Sequence, residues 1–150
     1  IKHVVALNEV LVAHGEPNRT MTVDVDIYGT TMASYHADGV IVATATGSTA
    51  YALAAGGPIV DPRSQAMVLV PIAAHLTQIP SLVLQEDAVI RLRVRGRYHA
   101  LFVADGRENT PLQEDDVVEV RRSEQTCVFA HVYPPSEFYA RMVQRLRPRA

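Results

Sequence analysis

The 150-residue chain contains a single cysteine, Cys127. One thiol cannot build a disulfide framework or a cysteine zinc centre within one chain, and it fits a reducing compartment, so a cytoplasmic protein is expected. No apolar run approaches the roughly 18 residues that cross a bilayer. The first residues lack the charged-then-apolar layout of a secretory leader. A membrane partner is therefore not expected. A basic excess is also missing: 14 Lys and Arg stand against 16 Asp and Glu, a formal net charge of -2, which offers a nucleic acid no cationic footprint. His3, His14, His36, His75, His99 and His131 are scattered without metal-ligand spacing such as His-Glu-x-x-His, and no metal is assigned to this chain. The Gly-x4-Gly-Lys-Ser/Thr phosphate loop is absent, and no glycines flank Ser48 at two residues on either side as in a nucleophile elbow.

What is present reads as one globular domain over residues 1–150, with 48% hydrophobic and 20% charged residues. The chain opens at Ile1 on a strand-like segment with no initiator Met, so a larger working unit is expected.

Short strands between turn signals dominate. Residues 4–13 are apolar except for Asn8-Glu9, and His14-Gly15-Glu16-Pro17-Asn18 supplies loop chemistry. Residues 21–28 alternate, with Met21, Val23, Val25 and Ile27 on one face and Thr22, Asp24 and Asp26 on the other, the period of a half-buried strand. Gly29 ends it and residues 32–36 return antiparallel. Residues 40–43 and 67–70 read as buried strands, and residues 89–97 alternate with Arg91, Arg93, Arg95 and Arg97 on one face. Residues 98–104, the turn Asp105-Gly106, residues 117–120 and residues 126–132 complete the pattern. This predicts a mainly β, antiparallel, sandwich-like domain. Two helices are expected: an Ala-rich one near 49–55 with Ser48 as its N-cap, and one near 136–146 with Phe138, Tyr139, Met142, Val143 and Leu146 at helical spacing.

Gly47-Ser48-Thr49 is the most informative place. A small-residue turn feeding a helix presents backbone N–H groups and hydroxyls, and admits a flat ligand closely. A serine that only caps the helix accounts for the same residues. Asn8-Glu9 interrupts an apolar strand with groups that suit a ribose or an adenine edge; a bulge or a solvent-facing pair explains them equally well. Asp38-Gly39 and Asp105-Gly106 read as turns. Asp24 and Asp26 read as solvated, and the arginine ribbon as a charged strand edge.

In order along the chain, these places resemble the NAD kinase family. The likeness is carried by Leu7-Asn8-Glu9-Val10, by Ala37-Asp38-Gly39-Val40-Ile41-Val42-Ala43-Thr44, and above all by Thr46-Gly47-Ser48-Thr49-Ala50-Tyr51-Ala52-Leu53-Ala54-Ala55-Gly56-Gly57-Pro58-Ile59-Val60. Leu82-Val83-Leu84 and Asp105-Gly106 fall where the family has Pro-Leu-Val-Leu and Asp-Gly-Gln segments. The resemblance covers roughly residues 6 to 132.

It implies the C-terminal, NAD-binding and oligomerising domain of an enzyme that phosphorylates the 2′-hydroxyl of the adenosine ribose of NAD. ATP or polyphosphate would be the donor, with a divalent metal such as Mg, in a homodimer or homotetramer. The family's catalytic Asp belongs to a Gly-Gly-Asp-Gly motif in an N-terminal α/β domain, and no Gly-Gly-Asp occurs here. No catalytic residue is therefore assigned, and these 150 residues alone are expected to be inactive. By resemblance, Asn8 and Glu9 would hold the adenosine, while Thr46, Thr49, Ala50 and Tyr51 would line the adenine and nicotinamide ends. Asp38 would face NAD held mostly by a neighbouring subunit, and Ala73 and His75 would lie near the pocket. Ala45 departs from the family's proline, His36 from its basic residue, and the segment from Ala74 to Ser81 lacks its arginine; Gly106-Arg107 replaces Gly-Gln. A non-catalytic NAD or NADP sensor, or the β domain of a related lipid kinase, are the alternatives, and an upstream Gly-Gly-Asp-Gly domain would separate enzyme from sensor.

Overall fold

The computed structural model describes residues 1–16, 19–74, 80–97 and 99–147. The alternating segment forms β2 (Met21–Ile27), which turns through Tyr28 and Gly29, both at positive φ, into β3 (Thr30–Ala37). Two successive positive φ values match the right-handed twist of a tight hairpin, and glycine takes the second at no steric cost. β7 (Ile90–Arg95) pairs with the other side of β2, and β10 (Val117–Val120) with β7, giving a four-stranded antiparallel sheet in the order β10-β7-β2-β3.

The second sheet has six strands. β1 (Glu9–His14) lies at its middle, between β4 (Gly39–Ala43) and β8 (Ala100–Ala104). β5 (Met67–Ile72) and β6 (Leu82–Leu84) extend it beyond β4, and β9 (Glu108–Leu112) beyond β8, all antiparallel. β5 runs on through Pro71, past the residues 67–70 expected. The β6 ladder reaches only Leu69, so the missing N–H of Pro71 deprives no neighbour.

The sheets face each other across a core of Val12, Val40, Val42, Met67 and Leu69 from one and Met21, Val23, Val25, Ile90, Leu92 and Val94 from the other. A smaller cluster covers the outer face of the six-stranded sheet, where Ile41, Ala43, Val68 and Val70 meet Ala52 and Val60. β4 is thus buried on both faces, as its unbroken apolar run implies.

Four expectations need correction. The short helix expected near 49–55 is there as α1 (Tyr51–Ala54), after a 3-10 turn at Gly47–Thr49, but Ser48 is not its N-cap, because Ala50 occupies that position. Residues 126–132 form no strand: Val128 and Val132 are exposed and no ladder accepts the segment. Apolar composition makes a strand only where a neighbour pairs its backbone. The arginine ribbon is not an edge, since β7 is interior to its sheet. Nor is Asp24 simply solvated: it accepts from Arg95 Nε at 2.5 Å and from the Ser34 hydroxyl. β9 was not foreseen. The expected C-terminal helix is α2 (Phe138–Leu146), with no residue fully buried.

Candidate functional site

The ladder places Glu9 opposite Ala43 and Ala13 opposite Gly39, so β1 and β4 run side by side beneath the turn that follows β4. Residues Glu9, Leu11 and Ala13 share the face on which α1 lies, because side chains alternate along a strand. That face carries two groups of candidate residues, one at each end of β1.

At the first end, the chain entering β1 and the chain leaving β4 are bonded together. Thr44 N–H donates to the Asn8 carbonyl at 2.9 Å, and the Thr44 hydroxyl donates to the Leu7 carbonyl at 2.8 Å. The same hydroxyl accepts Gly47 N–H at 3.1 Å. Gly47 then passes so close to Asn8 that any β-carbon there would overlap the Asn8 carbonyl. Glycine at 47 is required by this approach, and φ plays no part in it.

Ser48 supports the turn from beneath. Fully buried, it donates to the Ala45 carbonyl at 2.7 Å and accepts Val60 N–H at 3.0 Å. It ties the turn to the end of the Gly56-Gly57-Pro58-Ile59-Val60 segment. Gly57 lies against the Ala52 carbonyl, 2.8 Å from where a β-carbon would sit, and so closes the same loop. Thr46, Thr49 and Ala50 ride on this support, with Thr49 exposed and its hydroxyl 3.3 Å from the Thr46 carbonyl.

Glu9 is half-buried, and its Oε2 is out of solvent with no hydrogen-bond partner among the described residues. Burial, and then the charge of Asp105, push its carboxyl above the ordinary glutamate value. An orphaned carboxylate oxygen is costly, and it stands ready for a donor from outside. Asp105 has the opposite character. Burial would raise its carboxyl, but donation from the backbone N–H groups of Leu7, Asn8 and Glu9 holds it below the ordinary aspartate value. The sequence reads Asp105 as a hairpin turn at the family's Asp-Gly-Gln segment and gives its side chain no role. It is that, at φ +47° between β8 and β9, and it also binds the start of β1.

At the other end of β1, His14 N–H donates to the Asp38 carbonyl and Asp38 N–H donates to the Ile72 carbonyl, both at 3.0 Å. Asp38 therefore sits at a fixed corner where the chain crosses between sheets. Gly39 permits that corner, since a β-carbon would lie 2.8 Å from the Val12 carbonyl. A cleft of about 310 Å³ opens there, lined by His14, Glu16, Arg19, Asp38, Tyr51 and Ile72 among others. Glu16 N–H donates to His14 Nδ1 at 2.9 Å, which leaves the other ring nitrogen to carry the hydrogen of the neutral imidazole. Ala73 follows directly, exposed and in the left-handed region at φ +46°.

The structure thus brings Asn8, Glu9 and the 44–48 turn together, and separately Asp38 and Tyr51, with Ala73 following Ile72 of the same cleft. The two groups stand about 17 Å apart along β1, at ~3.4 Å per residue, and the 46–51 turn starts at one and ends at the other. His75 lies outside the described residues. His36 stands apart, with its ring nitrogens 3.0 and 3.3 Å from the Thr20 and Thr22 hydroxyls. His14, at the end of β1, and Glu16 and Arg19 beyond it carry no sequence signal of a site, because a strand end and a loop announce no periodicity. Among the described residues no three His, Cys, Asp or Glu side chains converge as a metal site, and no helix is long and apolar enough to cross a membrane.

In class this is a two-sheet antiparallel β domain with a small-residue turn, a carboxylate oxygen without a partner among the described residues at one end of β1, and a polar cleft at the other. Residues 7–132 match the family described as the ATP-NAD kinase C-terminal domain, and the chain belongs to that family. It is 62% identical over 142 residues to an NAD kinase of Chloroflexus aurantiacus, covering 95% of this chain and 51% of that protein. An NAD kinase of Dehalococcoides mccartyi is 38% identical over 141 residues, covering 94% of this chain and 50% of that protein. The chain therefore spans about half the length of these curated relatives. Its fold superposes on an Archaeoglobus fulgidus NAD kinase solved with ATP, with a TM-score of 0.73 and 33% identity over 81% of this chain and 47% of that one. It also superposes on a yeast NADH kinase solved with NADH, with a TM-score of 0.65 and 33% identity over 76% of this chain and 32% of that one.

Proposed function

We propose that this chain is the NAD-binding half of an NAD kinase, which transfers a phosphoryl group from ATP to the 2′-hydroxyl of the adenosine ribose of NAD. The observation that carries the reading is Glu9, a half-buried carboxylate with an orphaned oxygen, held beside Asn8 at the turn through which the family match runs. A carboxylate accepts two hydroxyl hydrogens and an amide both donates and accepts, which suits a ribose diol and an adenine edge. Thr46, Thr49 and Ala50 lie on the turn that leads from that pair to Tyr51 in the Asp38 cleft, and in this reading the four line the path of the extended dinucleotide between the two groups.

The part these residues play is positioning. Holding the ribose hydroxyl in line for attack removes translational and rotational entropy from the barrier, and donor binding and proton transfer fall to groups outside this chain. A divalent metal would partner the donor phosphates in the whole enzyme. Among the described residues no donor set fits one. The distance of Asp38 from Asn8 and Glu9 supports a role toward NAD held by a second copy, hence a homo-oligomer. Exposed Val128, Val132, Val143 and Leu146 support a second domain covering the C-terminal segment. The cytoplasm is the compartment this reading assigns, in keeping with the single exposed Cys127.

The test is NAD affinity in the full-length protein. Asn8→Ala and Tyr51→Ala are each expected to weaken NAD binding about tenfold or more, the loss of ~1.4 kcal/mol or above. Unchanged affinity in both, with the fold intact, would leave a β sandwich whose turn binds no NAD.

A further inference from the structure

We propose that Asp105 is a positioning residue for the nucleotide site, its carboxylate clamping the backbone of Leu7, Asn8 and Glu9 so that the Asn8 and Glu9 side chains are held where the ligand meets them. The proposal rests on the reading that Asn8 and Glu9 contact the nucleotide.

The geometry is specific. Asp105 Oδ2 accepts Leu7 N–H at 2.6 Å, and Oδ1 accepts Asn8 N–H at 2.8 Å and Glu9 N–H at 3.1 Å. Asp105 N–H donates in return to the Glu9 carbonyl at 3.0 Å. One residue of the β8–β9 turn thus grips three consecutive residues nearly a hundred positions earlier. These are the residues just before and at the start of β1, where the ladder does not yet hold both sides. Charge-assisted bonds of this kind are shorter and stronger than neutral ones. Without them the Asn8-Glu9 segment would keep only the Thr44 and Gly47 side of its support.

The clamp has an electrostatic consequence that a neutral support would lack. Asp105 places a negative charge beside Glu9. Residues 39–50, which face this end of β1, include no Asp, Glu, Lys, Arg or His. Arg107 acts on Asp105 from the same turn, and Lys2 Nζ donates to the Thr110 hydroxyl at 3.0 Å. Burial, and after it the charge of Asp105, therefore favour the protonated form of Glu9. A protonated Glu9 has lost one acceptor for ribose hydroxyls, so NAD affinity should fall on the acid side, at a midpoint that Asp105 raises.

The experiment measures NAD affinity of the full-length protein calorimetrically from about pH 5 to 8. Asp105→Asn keeps an oxygen for two of the three N–H groups and removes the charge. It is expected to raise the Kd at neutral pH about 3–10-fold and to move the acid-side midpoint to lower pH. Asp105→Ala is expected to bind a further ~10-fold more weakly with the same lowered midpoint. A folded Asp105→Asn protein whose midpoint stays in place overturns the proposal, because a merely structural support would weaken binding without moving it. Glu9→Gln separates the two ideas. If it leaves NAD affinity and its pH dependence untouched, the nucleotide reading of Asn8-Glu9 fails; if it flattens the acid limb while Asp105→Asn does not move it, only the role of Asp105 fails. Should the Asp105 variants not fold, the carboxyl carbon of Glu9 is titrated by NMR in the unsubstituted protein. It is expected to titrate above the ordinary glutamate value and to fall when NAD binds; titration at or below that value contradicts the proposal.

Discussion

Ser48 joins two loops through one oxygen, donating to the Ala45 carbonyl and accepting Val60 N–H, with no exposed surface. Ser48→Ala would strand the buried Val60 N–H. Leaving a buried donor unsatisfied costs about 1–3 kcal/mol, so the melting temperature should fall and NAD affinity with it, as thermal melts and titration will record. Thr at the same position should restore part of both. Local chemistry leaves Ser48 readable as a helix cap, and the cap reading fails for a physical reason. The helix starts later, at Tyr51, after a 3-10 turn that Gly47 bends against Asn8. That close approach is a contact 39 positions apart in sequence, and no local pattern can announce it. Tyr35 is the converse case: a fully buried side chain whose hydroxyl has no partner among the described residues, contributing ring area to the core and nothing polar.

Among the elements, those whose burial is one-sided were the readable ones. β2 alternates in sequence and in burial, residue for residue, because one face meets the core and the other meets water. β9 was not readable, since Glu108-Asn109-Thr110-Pro111-Leu112 lacks alternation and is a strand only because β8 offers it an edge. On β7, Arg91 pairs with Glu119 at 3.0 Å and Arg95 with Asp24 at 2.5 Å and Asp115 at 2.7 Å, so these two arginines of the ribbon are paired by the strands and turn around them. Burial opposes ionisation of Asp24, but Ser34 and Arg95 outweigh it and hold its carboxyl below the ordinary value. A depressed carboxyl contributes stability above its unfolded value and loses it as pH falls through the folded one. Asp24→Asn should therefore destabilise the protein at neutral pH by under about 1 kcal/mol, since Arg95 is half exposed. The difference should vanish in strong acid, where both proteins carry a neutral side chain, as denaturant melts at several pH values will show.

At the scale of the molecule, the β architecture could be read from the sequence because its strands bury alternate residues. The site could be read only as separate motifs. Their arrangement at two ends of β1 depends on which strands become neighbours, and the order β6-β5-β4-β1-β8-β9 places chain-distant segments side by side. The same order brings Asp105 to Asn8-Glu9. The C-terminal segment shows the other limit. α2 is held by Tyr139 donating to Asp61 at 3.1 Å and by Arg141 over the Tyr133 ring at 3.6 Å, while its apolar residues Val143 and Leu146 stay exposed. Its helical period was readable; what it packs against was not.

The central claim is that this chain holds NAD for phosphorylation and does not itself supply the phosphoryl chemistry. The most direct measurement incubates ATP, Mg and NAD with the full-length protein and, separately, with residues 1–150, and assays NADP. The account expects NADP from the full-length protein and none from the 150 residues alone. NADP from the 150 residues alone, or none from a folded full-length protein, would contradict it.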